Sequence, residues 1–176
     1  MKNGQIQLYM GHSKGKSTAA LGQLIRAYGR GLKCAIIYFD KGGFNYGERK
    51  VLKQLGIDHF VTGMNRMGKT DNDFRFGVIQ ADIDEAYRGL DILKDLMTKN
   101  YDLIVCDEIN STTNLGMLKE SDVIEVLKSK PETVELVLTG RDAPESFIEI
   151  ATLVTEMKLH KHYYYDGVMA RIGIEY

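Results

Sequence analysis

Gly11-His12-Ser13-Lys14-Gly15-Lys16-Ser17-Thr18 is the stretch on which the reading of this chain turns. Ahead of it, Gln5-Ile6-Gln7-Leu8-Tyr9-Met10 alternates polar and apolar residues, as a strand does. Behind it, Ala19-Ala20-Leu21-Gly22-Gln23-Leu24-Ile25-Arg26-Ala27-Tyr28 carries apolar residues at helical spacing. A glycine-rich turn between strand and helix that ends Gly-Lys-Ser is a phosphate-binding loop. Glycines let successive backbone N–H groups face one concavity, and the helix N-terminus adds partial positive charge there. Lys16 supplies a mobile cation for phosphates, and Ser17 a hydroxyl for Mg²⁺ or Mn²⁺.

The loop is short. Its usual form places four residues between the first glycine and the Gly-Lys pair, whereas His12, Ser13 and Lys14 alone separate Gly11 from Gly15. Counting back from Lys16 puts Met10 at the first-glycine position, where a side chain resists positive φ. The expectation is a triphosphate held differently from the GTPase arrangement.

With 176 residues the chain fits one domain, residues 1–176, that buries a core without disulfide or metal staples. A net charge of −1 gives no general attraction to nucleic acid or to an anionic membrane. No apolar run approaches a membrane span, and Met1-Lys2-Asn3-Gly4-Gln5 does not read as a signal peptide. The expectation is a cytoplasmic protein without nucleic-acid or membrane partners. Cys34 and Cys106 lie in apolar strand-like runs and read as buried thiols.

Lys33-Cys34-Ala35-Ile36-Ile37-Tyr38-Phe39 is apolar almost throughout, the mark of a strand buried on both faces of a parallel sheet. Residues 49–55 read as a short helix closed by Gly56, residues 58–62 as a third strand, and residues 76–99 as one long amphipathic helix. Tyr101-Asp102-Leu103-Ile104-Val105-Cys106-Asp107-Glu108 is a buried strand ending in two acids, placed to meet a metal that Ser17 touches from the other side. A helix over 121–129, a strand over 134–138 ending in Thr139-Gly140-Arg141, and a helix over 145–151 follow. Two last strands are expected over 153–157 and 168–174, turned by Asp166-Gly167. His160 and His162 share a strand face on this reading, as structural or substrate-edge residues, since two histidines alone make a poor zinc site. Arg141, at a strand end, can reach an anion.

These pieces together resemble the ATP:corrinoid adenosyltransferases of the P-loop class. The matching residues are Gly11 with Lys14-Gly15-Lys16-Ser17-Thr18-Ala19-Ala20, Arg26-Ala27-Tyr28-Gly29-Arg30-Gly31, Lys41-Gly42 with Gly47-Glu48, and Asp107-Glu108-Ile109. Further on they are Thr139-Gly140-Arg141 with Ala143-Pro144, Val154-Thr155-Glu156-Met157, Lys161-His162 and Gly173-Ile174-Glu175. The short loop is itself a mark of that family, where it goes with ATP lying reversed relative to ordinary NTPases.

The resemblance implies an α/β fold, a P-loop NTPase-like (RecA-like) three-layer sandwich with a mostly parallel sheet flanked by helices. It implies that a cobalt(I) corrinoid attacks the 5′ carbon of ATP and releases triphosphate, with Mg²⁺ or Mn²⁺ as the ion. It also implies a flavoprotein reductant and a homodimer. Carried over by position, Gly11, His12, Ser13, Lys14, Gly15, Lys16, Ser17 and Thr18 hold phosphates, and Arg26 helps place the nucleotide. Lys16, Glu108 and Arg141 are the candidate catalytic residues; Ser17, Asp107 and Glu108 are the candidate metal ligands.

The sequence departs from the family after the third strand, where Gly63-Met64-Asn65-Arg66-Met67-Gly68 replaces an aromatic stretch and the chain has no Trp. No counterpart of the family's N-terminal arm is read here, and His12 and Ser13 replace an asparagine and a glycine. The loop over 64–76, with its Met64, Met67, Phe74 and Phe76, and the loop from Phe44 to Gly47 are the expected cover for a corrin ring. From the residues alone, another P-loop ATPase or small-molecule kinase and a non-catalytic ATP-binding protein remain open.

Overall fold

The computed structural model describes residues 3–43, 46–66, 75 and 77–176. The first half comprises β1 (Ile6–Met10), α1 (Lys16–Tyr28), β2 (Cys34–Tyr38), α2 (Glu48–Leu55), β3 (Asp58–Val61) and α3 (Gln80–Met97). The second comprises β4 (Leu103–Asp107), α4 (Ile109–Asn114), α5 (Glu120–Lys128), β5 (Glu135–Thr139), α6 (Glu145–Ile150) and β6 (Leu153–Glu156). The strands form one parallel sheet in the order β3-β2-β4-β5-β1-β6. Parallel pairing brings every strand's C-terminal end to one edge, where open α/β sheets bind ligands.

Strand alternation explains why both faces are dry. Ala35 and Ile37, Ile104 and Cys106, Leu136 and Leu138 face a core with Ala86, Leu90 and Leu93 of α3, Val123 of α5 and Phe147 of α6. Their neighbours Ile36, Tyr38, Leu103, Val105 and Val137 face the other way, onto Ala20, Leu24 and Ala27 of α1 and Leu52 of α2. Helices therefore cover both sides of the sheet, and a strand buried on both faces must be apolar throughout. This is the expected three-layer α/β fold. Among the described residues, no helix is long and apolar enough to cross a membrane.

Some local expectations fail. Residues 168–174 form no strand: the sheet ends at β6, and the chain instead makes a 3₁₀ turn, Tyr163–Asp166, closed by Gly167 at φ 84°. The last residues are held by their own contacts, the Glu175 N–H donating to the Arg171 carbonyl (3.0 Å) and the Gly173 N–H to the Tyr176 carbonyl (2.7 Å). His160 and His162 consequently share no strand face; His162 Nδ1 accepts from the Tyr164 N–H at 3.1 Å and caps the turn. Helix α4 carries no helical signal in its sequence, because Ile109-Asn110-Ser111-Thr112-Thr113-Asn114 is polar and poor in helix formers. Its threonines are buried and bond back to carbonyls one turn earlier, Thr112 Oγ1 to Glu108 and Thr113 Oγ1 to Ile109, both at 2.8 Å. Helix α3 starts at Gln80, where Asp82 turns back to accept the Ile79 N–H at 2.9 Å.

Candidate active site

The turn after β1 is stitched to the end of β6. The Met157 N–H donates to the Met10 carbonyl (2.8 Å), and the Ser13 N–H donates to the Met157 carbonyl (3.1 Å). A Cβ on Gly11, which sits at φ 108°, would lie 2.6 Å from that Met157 oxygen. Gly15 takes φ 123° just before α1. Met10 stays within β1, so the turn begins one residue late and asks no positive φ of it. Lys16 is buried and its ammonium donates to the carbonyls of Gly11 and Ser13, each at 2.7 Å. Burial draws its pKa below the ordinary lysine value. Phosphate oxygens arriving here would take over an ammonium already aimed into the loop.

Asp107, the last residue of β4, is fully buried. One of its carboxylate oxygens accepts from Thr139 Oγ1 at 2.6 Å, the other from Lys41 Nζ at 2.5 Å. The same Lys41 ammonium donates to Ser17 Oγ at 3.0 Å and lies 3.8 Å from Glu108 Oε1. Burial opposes charge on both partners, yet the pairing prevails: the Asp107 pKa lies below the usual carboxylate range and that of Lys41 above the usual lysine. Ser17, Asp107 and Glu108 thus present hard oxygen donors around one point, the chemistry a divalent ion of the Mg²⁺ kind requires.

Glu108 begins α4 at φ 66°, a left-handed backbone that only a packed turn sustains in a glutamate. Its N–H donates to Thr139 Oγ1 (2.9 Å), and its carboxylate accepts from Ser111 Oγ (2.7 Å). Ser111 Oγ in turn accepts the Arg141 N–H at 2.9 Å. Gly140 between them is at φ 140°, and a Cβ there would lie 2.6 Å from the Ser111 nitrogen. Close approach of β5's end to α4 thus fixes Glu108 and Arg141 on one rim. Asp40 after β2 (φ 50°) and Asp142 after β5 (φ 47°) are also left-handed, so three such non-glycine turns lie along this sheet edge, while a fourth, Asn100 (φ 56°), precedes β4.

The C-terminal segment folds across the phosphate loop. Lys14 Nζ donates to Glu175 (2.8 Å) and to the Ile174 carbonyl (2.7 Å). Glu175 also accepts from Tyr163 Oη and from the Arg171 N–H. Between this segment and the loop lies a cavity of about 1240 Å³, larger than the roughly 300–1,000 Å³ of an ordinary small-molecule site. Its walls include Lys14, Lys16, Lys41 and Arg141 on the phosphate side and Tyr163 and Tyr165 opposite.

The structure brings together His12, Ser13, Lys14, Gly15, Lys16, Ser17, Thr18, Glu108 and Arg141 on this one cavity, with Gly11 shaping the loop and Asp107 behind Lys41. It does not bring Arg26 there. Arg26 lies in the last turn of α1, about 15 Å along the axis from Lys16 at 1.5 Å per residue, exposed beside Gln23. The helix starts at Lys16 and runs straight away from the loop, so a residue in its last turn cannot reach back to the phosphates. Among the expected corrin-covering residues, Phe44, Met67, Phe74 and Phe76 lie outside the described residues, while Met64 is exposed beside Arg66 and Arg141 in an adjoining pocket of about 440 Å³. Lys41, Thr139 and Tyr163 were not among the sequence candidates. Lys41 had a usable signal, a cation just past a buried strand; Tyr163 had none, because its place depends on the folding back of the chain end.

A family model described as ATP:corrinoid adenosyltransferase BtuR/CobO/CobP matches residues 2–176. A corrinoid adenosyltransferase from Sinorhizobium sp. is 33% identical over 99% of this chain and 81% of its own length. One from Escherichia coli K12 is 29% identical over 99% of this chain and 87% of its own. Among solved structures, the flagellar accessory protein FlaH from Methanocaldococcus jannaschii superposes with a TM-score of 0.55 at 13% identity, covering 89% of this chain and 72% of that one. The likeness to FlaH concerns the sheet and helices alone; the family match runs through the phosphate loop, the acids after β4 and the chain end that closes over them, and by it this chain belongs to the ATP:corrinoid adenosyltransferases.

Proposed function

We propose that this protein transfers the 5′-deoxyadenosyl group of ATP to the cobalt of a cobalt(I) corrinoid, releasing inorganic triphosphate. The observation that carries the reading is the convergence of Lys14, Lys16, Lys41 and Arg141 on one cavity of about 1240 Å³, above the roughly 300–1,000 Å³ of an ordinary small-molecule site. Cobalt(I) donates an electron pair to the 5′ carbon, the carbon–oxygen bond breaks, and the triphosphate leaves with that pair. The nucleophile carries no proton, so no general base is needed, and the site has only to position and to stabilise charge. Lys16 and the loop N–H groups would hold the triphosphate, and Arg141, on the same side of the cavity, would meet the nucleotide's charge. Ser17, Asp107 and Glu108 would hold a divalent ion, which when bound would draw charge off the leaving triphosphate.

The open side of the cavity, with Tyr163, Tyr165 and the neighbouring Met64 pocket, is where the corrinoid would approach. The family's pattern also brings a flavoprotein electron donor and a homodimer into this proposal. The test is anaerobic incubation with MgATP and a corrinoid reduced to cobalt(I). The expected products are a light-sensitive cobalt–carbon species and inorganic triphosphate in equal amounts. ADP with phosphate, or no turnover alongside tight ATP binding, would overturn the reading.

A further inference from the structure

Lys41 has a position but no task in the chemistry above. Its ammonium stands between Ser17 Oγ (3.0 Å) and Asp107 Oδ2 (2.5 Å), on two of the residues that would hold a metal ion. We propose that Lys41 is the resident counter-ion of the metal position: it holds Ser17 and Asp107 together in the nucleotide-free protein and gives up that place when a metal–nucleotide complex arrives. The second half of this statement rests on the ATP-binding reading; the first half does not.

Two charges of like sign cannot share this point. Mg²⁺ binds oxygen at about 2.0–2.1 Å, so an ion held by Ser17 and Asp107 would compete for the space that Lys41 Nζ now fills. Asp107 has no exposed surface, and without Lys41 it would be a buried carboxylate left with the hydroxyls of Thr139 and Ser17, neutral donors both. A cation there keeps the carboxylate ionised while metal is absent. Lys41 can leave without moving the chain. Its backbone is fixed at both ends, the N–H donating to the Thr62 carbonyl (3.2 Å) and the carbonyl accepting from Arg49 Nη2. Only the side chain is free to swing, and it lines the cavity into which phosphates would come. The Tyr46 ring, 5.8 Å from Nζ, flanks that route with a face that tolerates a cation.

The donor set agrees. Among the described residues, no group of three or more His, Cys, Asp and Glu side chains converges as a metal cage. An ion held by Ser17, Asp107 and Glu108 alone would be short of a full octahedral shell, which waters and, with nucleotide, phosphate oxygens would complete. The nucleotide would therefore bring both the missing metal ligands and a new anionic partner for Lys41. The consequence is ordered binding, in which the nucleotide-free protein takes up divalent ions poorly.

The experiment titrates Mn²⁺ into the full chain and reads free Mn²⁺ by electron paramagnetic resonance, without nucleotide and then with ATP. Wild type, Lys41→Met and Lys41→Arg are compared, with thermal melts to establish folding. Nucleotide-free Lys41→Met should bind Mn²⁺ about tenfold or more tighter than wild type, because a like charge has been removed from the position. Lys41→Arg, which keeps the charge, should follow wild type. Equal Mn²⁺ affinity in wild type and Lys41→Met overturns the proposal. Should Lys41→Met not fold, wild type decides: one-to-one Mn²⁺ uptake without nucleotide, with paramagnetic loss of the Ser17 and Asp107 amide signals, overturns it, and uptake that waits for ATP supports it. Calorimetry of ATP in excess Mg²⁺ is the separate arm. Absence of ATP binding there defeats the nucleotide reading while leaving the Mn²⁺ comparison to judge Lys41.

Discussion

Lys14 in the phosphate loop and Glu175 near the chain end lie 161 positions apart in sequence, and their charged groups meet at 2.8 Å. Glu175 is gripped from several sides: Arg171, Lys14 and Tyr163 all donate to it, and together they hold its carboxyl far below the usual range. It is therefore ionised throughout the working pH range, and a phosphate seeking Lys14 meets a carboxylate already there. The pair is partly open to water, with side-chain exposures of 41% and 19%, so its strength is modest. Replacing Glu175 by Gln should raise ATP affinity by roughly 1.5- to fivefold, the scale of one exposed charge pair. Calorimetry at pH 7 checks this; unchanged or weaker binding would show that Glu175 does not compete for Lys14.

Lys16→Ala removes the ammonium that Gly11 and Ser13 carbonyls aim into the loop. A hydrogen bond to a charged group is worth about 1.5–3 kcal/mol, so ATP affinity should fall by about 10- to 150-fold or more. The same calorimetry reads it. Binding within threefold of wild type, near the limit of roughly 0.6 kcal/mol, would remove Lys16 from the site.

Much of this was legible in the sequence, for local reasons. The loop at Gly11, the two-faced burial of β2, β4 and β5, and the acids after β4 each follow from residue spacing and period, which act within one segment. What stayed hidden depends on distant segments. Thr139 matters because Asp107 needs a second donor, and β5 lies beside β4. Residues 168–174 look like a strand because Val168, Ile172 and Ile174 are apolar, but they stay exposed while Glu175 anchors the segment to Lys14. Arg26 lies away from the cavity for a geometric reason: a family motif says that a residue recurs, and only the helix says how far along its axis that residue stands from the phosphate loop.

Gly11→Ala should weaken both fold and function. The position combines φ 108° with a Cβ site 2.6 Å from the Met157 carbonyl oxygen, so neither rotation nor a small shift accommodates a methyl group. Strain of this sort costs about 1–3 kcal/mol. A lowered thermal midpoint accompanied by lost ATP affinity is expected, since the loop would have to leave β6 to relieve the clash. Gly22→Ala, on an open face of α1, is the control and should stabilise slightly. Equal midpoints for Gly11→Ala and wild type would refute the stitching argument.

The last expectation concerns Asp82 and acid. Its side chain is fully buried at the start of α3, accepts two hydrogen bonds from Arg75 (2.6 and 2.7 Å), and lies 3.6 Å from Arg66. Arg66 reaches on to Asp40 after β2 at 2.8 Å, so the network ties the segment before α3 to the sheet edge that carries the site. Hydrogen bonding from Arg75, against the cost of burial, holds the Asp82 carboxyl down at about 2. A depressed carboxylate stabilises the fold above its unfolded pKa of about 4, and that contribution is lost as pH falls through about 2. Asp82→Asn leaves the arginines facing a neutral partner and should cost about 3 kcal/mol at pH 7. The gap to wild type should narrow between pH 4 and about 2, because wild type alone loses the charge there. Urea unfolding across that range measures it. A gap that stays constant with pH would mean that Asp82 supports α3 through hydrogen bonds alone and that its charge contributes nothing.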